Sequence, residues 1–114
     1  MSKILGRTAV EVAPVPEWID CTGPVNPSDN EEYEVPAGTN AVMITVTGPV
    51  WFRKTSGVTI ATAPSGAVTD GTSSLYLTGV GLFRSYPGEK LNFFNPGSSD
   101  VYVTIGCYGR IGNP

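Results

Sequence analysis

From Val35 onward the chain is written in short apolar runs that alternate with a period of two and stop at glycine or proline about every ten residues, a rhythm that β-strands satisfy and helices do not. The clearest run is Ala41 to Thr47. Val42, Ile44 and Val46 share one face of it, and Ala41, Met43, Thr45 and Thr47 share the other. Further strands are expected at Tyr33–Val35, Val50–Lys54, Val58–Ala61, Ser74–Leu77, Leu82–Tyr86, Lys90–Phe94 and Val101–Tyr108. Between them lie turn signals such as Gly48-Pro49, Ser56-Gly57 and Asp70-Gly71, and residues 62 to 72 are small and polar enough to predict an exposed loop. With 14 glycines and 10 prolines in 114 residues, turns are favoured over long helices. The pattern predicts an all-β fold: an antiparallel β-sandwich or jelly-roll-like body of seven or eight short strands sharing one core.

Residues 1 to 34 differ. They hold Glu11, Glu17, Asp20, Asp29, Glu31, Glu32 and Glu34 against Lys3 and Arg7, so two positive minus seven negative charges gives −5, and the remainder of the chain carries +2. Thr8 to Ala13 has the character of a short edge strand. Pro14, Pro16, Pro24 and Pro27 then remove backbone donors that a central strand needs. The expected organisation is an extended acidic N-terminal arm over 1–34 and a β-sandwich over 35–114. Trp18 and Ile19 lie within that arm, where a tryptophan needs a pocket, either on the end of its own sandwich or on a neighbour.

Adjacent strand residues point to opposite faces, so the doublets Trp51-Phe52, Leu82-Phe83 and Phe93-Phe94 each place bulky groups on both sides of a sheet. If Phe52 and Phe93 face inward with Val42, Ile44, Leu75, Leu77, Leu91, Val103 and Ile105, then Trp51, Phe94 and Phe83 need a cover. The chain's own arm, another copy or a larger partner would supply it. These considerations single out Trp18, Ile19, Glu31, Glu32, Glu34, Trp51, Phe83 and Phe94 as partner-binding residues. Arg53, Lys54, Arg84, Lys90 and Arg110 are available as counter-charges for the acidic stretch.

The sequence holds no histidine, which excludes Ser-His-Asp and Cys-His catalysis and histidine metal sites. It has no phosphate-binding glycine loop. Asp29, Glu31, Glu32 and Glu34 form the one dense carboxylate cluster, but they lack a walled cleft for glycoside hydrolysis and the spacing of a calcium loop, so a solvated or ion-pairing surface is expected. No catalytic residue, metal site or cofactor is assigned, and the chain reads as a non-enzyme. The net charge of −3 disfavours nucleic acid and anionic lipid, no apolar run approaches the roughly 20 residues of a membrane span, and the N-terminus has no secretory signature. Cys21 and Cys107 are expected as free thiols, with Cys107 continuing the core alternation of Val101, Val103 and Ile105.

Several segments together carry a resemblance: Val35-Pro36-Ala37-Gly38-Thr39 leading into an alternating strand, Trp51-Phe52-Arg53-Lys54 before a Ser/Thr/Ala/Gly loop, Asp70 to Leu77, Leu82-Phe83-Arg84, and a closing Val/Tyr/Ile strand. In these the chain is similar to small tailed-phage virion proteins, particularly capsid decoration (cement) proteins. The resemblance implies a non-enzymatic subunit that forms homo-oligomers, with a homotrimer favoured. It would be made in the host cytoplasm and bind the major capsid protein on the capsid exterior, stabilising the lattice. A neck, tail or head-fibre connector shares the same features. A second class of function is a glycan-binding module of a receptor-binding tail structure, in which Tyr76, Tyr86, Tyr102 or Tyr108 would stack on sugars.

Overall fold

The computed structural model describes residues 15–55 and 60–109. Eight strands follow in order: β1 Trp18–Val25, β2 Asn30–Glu34, β3 Thr39–Val46, β4 Val50–Thr55, β5 Leu75–Leu77, β6 Val80–Arg84, β7 Lys90–Phe94 and β8 Val101–Gly109. They form two antiparallel four-stranded sheets, one ordered β1-β8-β3-β6 and the other β2-β7-β4-β5. β1 pairs with β8, β2 with β7, β3 with β6 and β4 with β5, so the chain is one long hairpin whose two arms wind together and alternate between the sheets. This is the jelly-roll connection of an all-β sandwich, as the alternation predicts.

The core lies where the two inner faces meet. Val42 and Ile44 of β3, Phe52 of β4, Leu91 and Phe93 of β7, and Val103, Ile105 and Cys107 of β8 are all buried, each set at a two-residue interval. Phe52 stacks on Phe93 with ring centroids 5.3 Å apart and meets Phe83 at 5.1 Å. Burying so many branched and aromatic side chains supplies the main stabilisation, at roughly 1.5–3 kcal/mol for each.

Several expectations are corrected. The acidic arm does not run to residue 34: residues 18–34 supply a strand to each sheet, and the core includes Val25. The prolines permit this because β1 is an edge strand. Pro24 sits where its register with β8 shifts, and Pro27 falls in the turn that follows. Residues 1–14, with the expected Thr8–Ala13 strand, lie outside the described residues, as do 56–59 and Arg110. Ile60 and Ala61, the end of the expected Val58–Ala61 strand, are not in a strand. Phe83 points inward rather than outward, with its ring folded back over Gly81, where a Cβ would approach it to 2.4 Å. Leu75 is exposed at the short β5 edge instead of lying in the core.

Candidate contact surfaces

The paired strands line their side chains up in rows that cross each sheet. On the outer face of the β1-β8-β3-β6 sheet, Ile19 lies opposite Gly106, Gly106 opposite Met43, and Met43 opposite Leu82. Ile19 is 56% exposed, Leu82 57%, and the neighbouring Val80 67%. Pro16 closes down on this row: a Cβ at Gly106 would lie 2.4 Å from the proline ring, so glycine is required there for the chain to cross the sheet. Pro16, Ile19, Met43, Thr45, Thr104 and Gly106 line a shallow apolar depression of about 150 Å³.

The other sheet carries an aromatic row on its outer face, in which Asn30 lies opposite Phe94, Phe94 opposite Trp51, and Trp51 opposite Tyr76. Trp51 and Phe94 are half-buried, and Trp51 packs on the exposed Tyr76 with centroids 4.7 Å apart. The chain between β4 and β5 helps to cover this face. Ala61 is fully buried: its N–H donates to Asn92 Oδ1 (3.0 Å) and its carbonyl accepts from Asn30 Nδ2 (2.8 Å). Within the described residues, then, β5 and the connection at Ala61 lie beside the outward doublet members, and of the expected arm Asn30 of β2 lies opposite Phe94.

Charge is divided between the two flanks of the sandwich. Residues 17–34, which form the β1/β2 flank, hold six carboxylates and no lysine or arginine. Trp18 is 45% exposed there, and its indole N–H donates to Asp20 Oδ2 at 2.7 Å. The Tyr33 hydroxyl donates to the same oxygen at 2.6 Å and lies 3.6 Å from the Cys107 sulfur. Burial, reinforced by Asp20 and Cys107, pushes the Tyr33 hydroxyl well above its ordinary value, and burial likewise pushes the Cys107 thiol up. Glu31, Glu32 and Glu34 project from the edge strand β2, with Lys90 opposite Glu34.

On the opposite flank Phe52, Leu75, Phe83, Arg53, Lys54 and Arg84 line a concave site of about 360 Å³. The Lys54 ammonium donates to the Arg84 carbonyl at 2.7 Å and pairs with Glu89 at 3.1 Å. The Arg53 guanidinium donates to the carbonyls of Lys54 and Thr72. Glu89 is held below its ordinary value, chiefly by the Tyr86 N–H and further by the Ser85 hydroxyl and Lys54.

The eight expected partner residues therefore fall into separate places. Trp18, Ile19 and the three glutamates share the β1/β2 flank, Trp51 and Phe94 are neighbours on one outer face, and Phe83 forms part of the core and of the cationic site. Cys21 lies opposite Thr104 on the outer face while Cys107 points into the core, so the fold-back of β1 leaves both thiols free. Among the described residues no three Cys, Asp or Glu side chains come together as an ion site, and no helix is long and apolar enough to cross a membrane.

No known family and no curated protein matches the chain. Among solved structures it is similar to the solution NMR structure of a de novo designed double-stranded β-helix. The TM-score is 0.52 and the identity 17%, over 79% of this chain and 97% of the design. That likeness concerns the fold alone, and it agrees with the wound hairpin described above.

Proposed function

We propose that this chain is a non-enzymatic virion structural protein of the capsid decoration class, which binds the major capsid protein from outside and associates with further copies of itself, as a trimer by preference. What carries the reading is the apolar row Ile19–Gly106–Met43–Leu82, which spans a whole sheet and is exposed at both ends. A small chain that presents such a face, has no histidine and is similar in sequence style to tailed-phage virion proteins is suited to holding other proteins together rather than transforming a substrate. Repeated over a symmetric lattice, modest contacts sum to a firm hold.

The test is to image the labelled chain on particles purified from cells that produce it. A regular array over the capsid exterior is expected, reduced at least tenfold by Leu82→Lys, since one buried charge in an apolar contact costs well over the roughly 1.4 kcal/mol of a tenfold change. Label confined to a neck or tail would favour a connector, and absence from every particle fraction would refute the reading. The aromatic row Phe94–Trp51–Tyr76 favours glycan binding as a second function, to be recognised by saturable glycan-array signals lost on Tyr76→Ala.

A further inference from the structure

The two flanks of the sandwich are complementary in both charge and shape. One edge offers a half-exposed indole among carboxylates, in the sequence Glu17-Trp18-Ile19-Asp20, with the ring held by its bond to Asp20. The far edge offers a concavity floored by Phe52 and Phe83 and rimmed by Arg53, Lys54 and Arg84. Glu89 engages Lys54 and Asp70 lies within electrostatic reach of Arg53, while the hydrogen bonds of Arg53 and Arg84 go to neutral oxygens, so Arg84 in particular offers its charge to an incoming anion. An aromatic anchor flanked by acids fits such a site, through ring contacts on the floor and charge-assisted hydrogen bonds at the rim.

We propose that the cationic site between β4 and β6 receives the β1 edge, centred on Trp18, of a second copy of this chain, joining copies head to tail. The inference rests on the self-association in the reading above and names its surface. The geometry also bears on closure. Trp18 lies opposite Cys107, Cys107 opposite Val42, and Val42 opposite Phe83, so anchor and receptor sit at the two ends of a single row across one sheet. They are separated across the strands by about 14 Å, three interstrand spacings. Both halves of the contact lie at one level along the strands, and such a head-to-tail contact forms a ring, as in the trimer proposed above, where the rotation between copies closes, and a filament where it does not. The apolar sheet face lies outside this contact.

The experiment is light scattering and sedimentation of the purified full chain, with two variants that each damage one half of the contact. The unaltered chain is expected as a closed oligomer of defined mass at tens of micromolar, roughly the range a small charged contact supports. Raising the salt from about 0.05 M to about 0.5 M should weaken association at least tenfold. Arg84→Glu and Trp18→Ala should each be folded monomers by circular dichroism, because Arg84 is exposed and Trp18 lies on an edge. Mixed one to one, they should form a dimer and nothing larger, since only one intact contact remains between them.

A monomeric unaltered chain at low salt would overturn the inference. So would oligomers that survive both substitutions, or a mixture of the two variants that stays monomeric. Oligomers lost instead on Leu82→Lys would move the interface to the sheet face. A monomer that nonetheless decorates particles would remove this inference and leave the virion reading standing, whereas an oligomer found on no particle would do the reverse.

Discussion

Asn95 offers the sharpest test of how the two sheets are held in register. It is fully buried beyond the end of β7, where its Nδ2 donates to the carbonyls of Val25 (2.8 Å) and Ser99 (2.7 Å) and its Oδ1 accepts from the Gly97 N–H (2.8 Å). Its backbone carbonyl accepts from Ser28 and its N–H donates to the Asp29 carbonyl, so one residue ties the β1–β2 turn to the β7–β8 turn. In Asn95→Asp the shape and the Gly97 bond persist, but two buried carbonyls lose their donor and face a carboxylate oxygen. At about 1–3 kcal/mol for each unsatisfied group, with part recovered by relaxation, the expected loss at pH 7.5 is about 3–4 kcal/mol, a large share of the 5–15 kcal/mol typical of a domain.

The sign of the pH dependence separates this account from simple loss of packing. Burial and the facing carbonyls raise the new carboxyl group's folded pKa above its unfolded value of about 3.9. The protonated form, which can donate to one carbonyl, is the one the fold favours. Its contribution is fully present below the unfolded pKa and disappears as pH rises through the folded one. The deficit relative to the unaltered protein should therefore shrink by at least 1 kcal/mol between pH 7.5 and about pH 4.5. Urea unfolding followed by tryptophan fluorescence measures both values. A deficit below about 0.5 kcal/mol at pH 7.5, or one that does not change with pH, would refute the role assigned to Asn95.

Other outcomes follow from the same geometry. Gly109 has φ +133° and a Cβ there would lie 2.2 Å from the Gly38 carbonyl oxygen, so Gly109→Ala should cost about 2 kcal/mol or more in urea unfolding. Burial raises the folded pKa values of Tyr33 and Cys107 above the ordinary 10.0 and 9.0, so their contribution is complete below pH 9 and is lost as pH rises beyond it. The melting temperature should fall above pH 9, less steeply in Tyr33→Phe; equal slopes would exclude Tyr33 from the alkaline transition. In a thiol titration of the native protein Cys21 should react at once and Cys107 only on unfolding, and two fast thiols would contradict the burial of β8.

The strands that sequence locates well are those with one face fully dry. β3, β7 and β8 alternate visibly because Val42, Ile44, Leu91, Phe93, Val103 and Ile105 are all in the core. β1 and β2 escape because they are edges: β1 tolerates Pro24 at its irregularity, and the sole large apolar side chain of β2 is Tyr33, so charge hides the period of two. The doublets show a different limit. Alternation says that one member of Leu82-Phe83 faces inward, and only the pairing of Phe83 with Val42 decides which; the small Gly81 two residues earlier is the local sign that a ring folds back there. Arg53 and Arg84 are 31 positions apart in sequence, and nothing short of the winding reveals that they rim one site.

The nesting of the hairpin also orders events in time. Joining β1 to β8 from an open chain closes a loop that spans most of the domain, whereas after β4–β5, β3–β6 and β2–β7 have zipped in turn, only short segments remain to be ordered. β1, at the open end of the ribbon, is then the last strand to seat. Trp18 reaches its place on the acidic flank only once the rest of the sandwich exists, so under the proposed head-to-tail contact a nascent or half-folded chain would lack the surface by which copies recognise one another, and assembly would wait for a finished subunit.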